Sequence, residues 1–388
     1  GVYFILYYYV KPTLDIQDAW MRRQDPEELK SLLFSMQDLL IKQHHHGLYY
    51  PDLHPHNFIV GQETVYLIDS AEVTYEHFKM ALSVKQSIKN LVVLYAQLAP
   101  KFESIIIEAF QRYCLSRGWA VAGALEKTML TVLYQRRRLR LKRYLQKTLM
   151  TCGLFLSRWS FSSRYVSRRE EYTDEMRQFF QNPDQSLKEA AILKNGNTCT
   201  VFLTTINHKK MVVKRYNVKN FWHLMKMFWR QSRAIRSWKN ANMLELLSVP
   251  SVKPVAFYEK RFLGCFHGTT YFVAEYIEGS TLKEYLPGMT NVSLLHDIAR
   301  QFSELFQVFE SMRIVHGDTK ASNFIYHQDK IYVLDLDAMK IGEGAYRYAK
   351  KHQEDIQRFL DNWKDRPELL SYFNKLKGSD YGYYNHHR

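Results

Sequence analysis

Cysteine is scarce: the 388 residues hold four, Cys114, Cys152, Cys199 and Cys265, far apart and without a CxxC pair. This spacing suggests neither a disulfide framework nor a zinc site and points to a reducing compartment. Long apolar runs are also lacking. The most apolar stretch near the start, Val2–Val10, is too short to span a bilayer and is rich in tyrosine. It has no basic flank and no small-residue cleavage site, so it does not read as a signal peptide. A chain starting at Gly1 in mid-fold reads as a piece of a longer reading frame or a trimmed chain. Acidic residues are in deficit, 39 against 54 Lys and Arg, for a net charge of +15. That excess favours a polyanionic partner: nucleic acid, an anionic membrane surface or a phosphorylated glycolipid. No helix-turn-helix, RNP or zinc signature accompanies it, so nucleic acid is set aside.

What is present is an ordinary globular composition, 46% hydrophobic and 24% charged, long enough for two domains with full cores. The chain is organised around His316-Gly317-Asp318-Thr319-Lys320-Ala321-Ser322-Asn323, followed by an apolar run that ends in Asp335. An H-G-D-x-K-x-x-N loop leading to such a run is how a kinase-type site assembles phosphoryl-transfer chemistry. In that reading Asp318 accepts the proton of an acceptor hydroxyl and Lys320 neutralises charge on the transferred group. Asn323 and Asp335 hold Mg²⁺, and Asp337, two residues on, either faces away on the same strand, the favoured reading, or serves as a second ligand. Lys214, ending the apolar strand MVVK, is placed for the α and β phosphates of ATP. The hinge Glu275-Tyr276-Ile277 offers backbone groups of Glu275 and Ile277 to adenine. Asn195-Gly196-Asn197 sits where a phosphate-covering loop belongs, and a hairpin turn explains it equally well.

The arrangement occurs twice. Asp52, Asn57 and Asp69 repeat the spacing of Asp318, Asn323 and Asp335 residue for residue, and residues 3–14 align with 271–282 without a gap. A repeat of this size means two copies of one domain. The first copy is degraded: Tyr50-Pro51 replaces His-Gly and His54 replaces the lysine. Its phosphate-binding lysine would lie upstream of Gly1, and Asp52, Asn57 and Asp69 leave metal binding open. His44, His45 and His46, with His54 and His56, do not form a metal site in this reading, because adjacent side chains on a helix diverge.

Apolar periodicity predicts helices over 27–46, 80–135 (broken at Pro100), 219–247, 294–312 and 345–376. Strands are predicted over 1–14 and through 188–275, with turns at Asn195-Gly196-Asn197 and Asn207-His208. Between the copies, RRRLRLKRYLQK carries seven Arg and Lys in twelve residues; Arg158, Arg164, Arg168 and Arg169 follow, interleaved with Trp159, Phe161, Tyr165 and Tyr172. Each such cation near an anionic bilayer contributes about 1 kcal/mol. The expected architecture is α+β, protein-kinase-like and bilobal. It comprises a partial first domain over 1–135 (hinge and large lobe), a basic aromatic-rich connector over 136–187, and a complete second domain over 188–388. The second domain divides into a small lobe, 188–275, and a large lobe, 276–388.

HGDTKASNFIY…VLDLDAM, with MVVKRYN, SRAIRSWKNANML ahead of a Pro-x-x-x-Pro segment and the AEYIEGSTL hinge, resembles the bacterial lipopolysaccharide core kinases, the Kdo and heptose kinase family. The likeness covers about 190–365 well and 1–80 more weakly. It implies ATP with Mg²⁺, a sugar hydroxyl of the lipid A–core as acceptor, and a peripheral place at the cytoplasmic face of the bacterial inner membrane. By position, Lys214 would bind ATP phosphate, Asp318 would be the base, and Asn323 and Asp335 would hold metal. Where many members have Arg-Glu-Trp in the first helix, this chain has Arg236-Ser237-Trp238, which removes the acid expected to orient Lys214; Glu245 lies too far along to replace it. The alternatives are a pseudokinase-type scaffold of envelope assembly and a kinase for peptides or soluble small molecules.

Overall fold

The computed structural model describes residues 25–61, 65–68, 73–77, 80–120, 123–217, 231–262, 266–342 and 344–374. The strand expected over 1–14, the first part of the helix expected over 219–247, and Asp69 lie outside the described residues. The chain divides into two compact units, 1–140 and 141–388.

In the first unit, α1 (Pro26–His45) starts where Asp25 accepts a hydrogen bond from the Glu27 N–H and proline occupies the first turn. Leu29, Leu32, Leu33, Met36 and Leu40 share one face at helical spacing, and all are buried. The chain continues through β1 (Leu48–Tyr49), a 3₁₀ turn (Pro55–Asn57), β2 (Phe58–Val60), β3 (Val65–Leu67) and β4 (Thr74–Tyr75). Helices α2 (Val84–Tyr95), α3 (Glu103–Ser116) and α4 (Gly123–Lys147) follow, the last running past the boundary at residue 140, and Pro100 opens a 3₁₀ turn between the first two. β1 pairs with β4, and β2 with β3, antiparallel.

The second unit opens with a hairpin, β5 (Phe155–Trp159) and β6 (Ser163–Arg168), and a helix, α5 (Asp174–Gln181). Then come β7 (Ala191–Asn195), β8 (Cys199–Ile206), β9 (Lys209–Tyr216), α6 (Arg233–Leu246), β10 (Pro254–Phe262) and β11 (Phe266–Glu275). The strands form one antiparallel sheet in the order β5-β6-β10-β11-β9-β8-β7. Asn207 and His208 both have positive φ, 56° and 57°, as a tight β8–β9 turn requires. The rest of the unit is β12 (Ser280–Thr281), α7 (Val292–Met312), β13 (Ile314–Val315), β14 (Phe324–His327), β15 (Lys330–Val333), β16 (Lys340–Ile341), α8 (Ala345–Asp361) and α9 (Pro367–Phe373).

Residues 136–140 of the basic segment fall in the first unit and 141–187 in the second. β6 pairs along β10, so residues 155–168 extend the sheet by two strands. Trp238 of α6 is fully buried, meets Phe155 edge-on at 5.6 Å and Phe257 at 5.8 Å, and donates from Nε1 to the Thr148 carbonyl at 2.9 Å. Several basic residues of the segment point inward: Arg137 pairs with buried Glu103 at 2.6 Å, Arg140 donates to the Ala96 carbonyl, and Arg168 pairs with Glu245. Buried aromatic area, not charge, decides what this segment does for the fold. Lys142, Arg143, Lys147, Arg158 and Arg169 remain exposed. No helix among the described residues is long and apolar enough to cross a membrane.

Trp238→Ala is expected to cost about 3–5 kcal/mol in urea denaturation, as large-to-small core changes do. Phe161→Ala, at a position 69% exposed on the β5–β6 hairpin, is expected to stay within about 0.5 kcal/mol of wild type.

Candidate active site

Lys214 lies on β9, where alternate residues face opposite sides of the sheet. Met211 and Val213 enter one buried cluster and Tyr216 the other, so Lys214 shares the Tyr216 face. Its ammonium donates to Asp335 Oδ1 at 2.9 Å. Asp335 follows β15 with φ 52° and ψ 57°, a left-handed conformation that turns its side chain off the strand line. Burial alone would raise its carboxyl pKa. The Lys214 ammonium, with Arg233, overrides that and holds it below the ordinary carboxylate value.

The loop before it is held from three sides. His316 is fully buried; its Nδ1 accepts from the Asp318 N–H at 3.2 Å and its Nε2 donates to the Leu334 carbonyl at 3.1 Å. Burial pushes its pKa down, matching a neutral ring with one donor and one acceptor nitrogen. The Asp355 carboxylate on α8 accepts from the N–H groups of His316, at 2.7 Å, and Gly317, at 3.0 Å. Gly317 has φ 83°, and a Cβ there would meet the Ala338 carbonyl oxygen at 3.3 Å, so glycine is required. Asn362 accepts from the Ala321 N–H, and Arg358 donates to the Gly317 carbonyl.

This clamp presents Asp318. Asn323 Nδ2 donates to the Asp318 carbonyl at 2.9 Å and to Oδ2 at 3.1 Å, and Lys320 Nζ lies 3.2 Å from Oδ1. The structure thus brings Asp318, Lys320 and Asn323 into one group and Lys214 and Asp335 into another, bridged by His316. With its NH₂ committed to Asp318, Asn323 keeps its Oδ1 available. An ionised Asp335 carboxylate with one oxygen bonded to Lys214 and a neutral carbonyl oxygen form a hard-oxygen donor set that suits Mg²⁺. Asp337 lies in a 3₁₀ turn, Leu336–Ala338, and not on the strand; it is buried and paired with Arg233. Ser237 bonds Tyr216 (Oγ to OH, 2.9 Å), and Glu245 pairs with Arg168, so neither meets Lys214. At the hinge, Tyr276 N–H bonds the Lys210 carbonyl, the Glu275 side chain pairs with Lys253 at 2.9 Å, and the Ile277 backbone groups make no hydrogen bond among the described residues.

Asp355 and Arg233 escaped the sequence reading. Asp355 carried a signal: it falls on the buried stripe of α8 with Tyr348, His352, Ile356 and Phe359, and an acid on an apolar face needs a partner.

The first-unit loop repeats the frame and not the clamp. Asn57 N–H bonds the His54 carbonyl at 2.9 Å and Ile68 N–H bonds the Asn57 carbonyl at 2.7 Å, as Asn323 and Leu334 do in the second unit, both at 2.8 Å. Pro51 has no N–H and a fixed negative φ, so the Gly317 path is closed to it. Asn90 of α2 donates to the Tyr50 carbonyl there, the opposite direction of bonding from that of Asp355, which accepts from backbone N–H groups. Asn57 Oδ1 accepts from the His54 N–H at 2.8 Å, which commits the atom that its counterpart keeps available. Asp52 is exposed. His44 is buried between Tyr113 OH, 2.8 Å, and Asn90 Oδ1, 3.0 Å.

The order of parts in the second unit is that of a protein-kinase fold: a lysine-bearing strand, a helix, a strand pair leading to the hinge, then the H-G-D loop and a strand that leads into Asp335. The unit is kinase-like and the chain α+β. No known family model matches the chain. Over 120 residues it is 28% identical to the KEOPS complex subunit Bud32 of Pyrococcus abyssi, a match covering 28% of this chain and 52% of that protein. The chain thus spans about half the length of that curated relative. Among solved structures, it resembles WaaP in complex with acyl carrier protein (14% identity, 54% of this chain and 92% of that one, TM-score 0.37). It also resembles the autoinhibited serine kinase domain of the giant muscle protein titin (16% identity, 39% and 45%, TM-score 0.29).

Burial raises the Asp355 pKa to about 6 from 3.8, against the pull of its two backbone donors and Arg358. The folded state therefore binds this proton more tightly than the unfolded state, and the group's contribution to stability falls as pH rises from about 4 to about 6. At about 1.4 kcal/mol per pH unit, the loss approaches 3 kcal/mol. Asp355→Asn is expected to flatten that part of the stability–pH curve, measured by urea denaturation between pH 4 and 7.

Proposed function

We propose that the second unit is an ATP-dependent kinase that phosphorylates a sugar hydroxyl, of heptose or Kdo, in the lipopolysaccharide inner core. The observation that carries a phosphotransferase reading is the pair of linked groups: Lys214 held on Asp335, and Asp318 aimed by Asn323 beside Lys320. Mg²⁺ held by Asn323 and Asp335 would supply charge neutralisation for the phosphates. Lys214 then faces the α and β phosphates, and the free backbone groups of Ile277 serve adenine. Asp318 orients the acceptor hydroxyl and takes its proton as the new O–P bond forms and the bond to the leaving ADP oxygen breaks. Catalysis is mostly positioning and electrostatic stabilisation.

The sugar acceptor is supported by the sequence resemblance around HGDTKASNFIY, and an anionic glycolipid at the cytoplasmic face of the inner membrane by the net charge of +15. The exposed cations Lys142, Arg143, Lys147, Arg158 and Arg169 are the residues left to meet such a surface. The matching frames around Asn57 and Asn323 support a duplicated domain whose first copy no longer carries the transfer site. One observation favours a second reading, a scaffold that binds Mg·ATP without turnover: no acid of α6 meets Lys214.

The test is transfer of label from γ-labelled ATP to purified core glycolipid, with a peptide and a soluble aminoglycoside as competing acceptors. The glycolipid is expected to be labelled, and Asp318→Asn to lower the rate by at least about 10²-fold while Mg·ATP still binds. Absence of transfer with intact Mg·ATP binding would establish the scaffold reading, and preference for the peptide or aminoglycoside would overturn the glycolipid assignment.

A further inference from the structure

With no acid on α6 to meet Lys214, a different contact ties this helix to the metal loop. Arg233, the first residue of α6, donates from Nε to Asp337 Oδ2. The Asp337 side chain is only 9% exposed, and a buried carboxylate needs such a partner. The guanidinium lies over the Tyr216 ring at 4.6 Å and reaches the Thr198 carbonyl from Nη1 at 3.4 Å. Tyr216 OH bonds Ser237, so the residue that replaced the expected acid supports the ring beneath Arg233. Two turns along the helix, Asn240 Nδ2 donates to the carbonyls of Leu336, at 2.7 Å, and Met339, at 3.2 Å. Helix α6 therefore grips the 3₁₀ turn Leu336–Ala338 through a side chain in its middle and carbonyls toward both ends. Asp335 is the left-handed cap residue of that turn, so fixing the turn fixes where its carboxylate points.

We propose that Arg233 is a positioning residue: with Asn240 it locks the turn 336–339 onto α6 and thereby sets the Asp335 carboxylate for a divalent cation. Only the cation's role rests on the phosphotransferase reading; the lock is a property of the fold. Groups that orient a metal ligand typically matter about 10–100-fold in metal affinity, and two residues acting as one pair give non-additive losses.

The experiment measures binding of a fluorescent ATP analogue as a function of Mg²⁺ in wild type, Arg233→Gln, Asp337→Asn and the double variant, alongside amide exchange of Leu336–Met339. Each single variant is expected to raise the Mg²⁺ needed for half-saturation by about tenfold or more. Metal-free nucleotide affinity should hold, and the double variant should be no worse than the poorer single one. Exchange at the turn is expected to quicken in Arg233→Gln and less so in Arg233→Lys, which keeps the charge. Wild-type Mg²⁺ dependence in a folded Arg233→Gln would overturn the proposal, as would an equal loss of metal-free affinity, which would put Arg233 on the nucleotide. If wild type binds no Mg·ATP, the phosphotransferase reading fails by itself; unchanged exchange in Arg233→Gln would then overturn the lock separately.

Discussion

The second unit depends on one ion pair, Lys214 with Asp335. The lysine comes from the middle of a sheet and the aspartate from a loop more than a hundred residues later. They meet only if the sheet, helix α6 and the His316–Asp335 loop are all held in register. Trp238 packs α6 against β5 and β10, and Asn240 and Arg233 tie the helix to the turn after Asp335. The His316 ring ties the Asp318 backbone to the residue before Asp335. A partly buried charge is tolerable only with its partner in place, so the pair constrains the scaffold as much as the scaffold constrains the pair.

The two loops show how one backbone constraint propagates. In the second unit Gly317 takes a positive φ and turns its N–H to Asp355, which also collects the N–H of His316. Proline at the equivalent point of the first unit offers no N–H and cannot follow that path. A carboxylate there would lose a donor and keep its burial cost. The first unit instead has a neutral Asn90 donating to the Tyr50 carbonyl, and Asn57 turns its amide oxygen back to His54. Pro51, Asn90 and Asn57 thus make a different set of contacts from those of Gly317, Asp355 and Asn323.

Much of this was legible in the sequence. Apolar spacing placed α1, α7 and the closing helices, because each buries one stripe against its own unit. The spacing of Asp318, Asn323 and Asp335 marked residues that the fold brings into two neighbouring groups, because a loop-strand-loop of fixed length joins them. In the basic segment the charges are conspicuous in the sequence, while the aromatic residues that fold it, Phe155 and the distant Trp238, signal only through tertiary contact. The Arg233–Asp337 pair was invisible for a related reason: an Arg at a helix start looks solvated until a buried acid from another element meets it. Side-chain direction decided the rest, since Asn57 and Asn323 are the same residue at the same spacing with opposite amide commitments.

We propose that the loop carrying Asp318 and Asp335, and not the one carrying Asp52, holds a working nucleotide site. Calorimetric titration of the whole chain with a non-hydrolysable Mg·ATP analogue tests it most directly. One molar equivalent bound, with binding lost or severely weakened in Asp335→Asn, is the predicted result; two equivalents, or binding indifferent to Asp335→Asn, would contradict it.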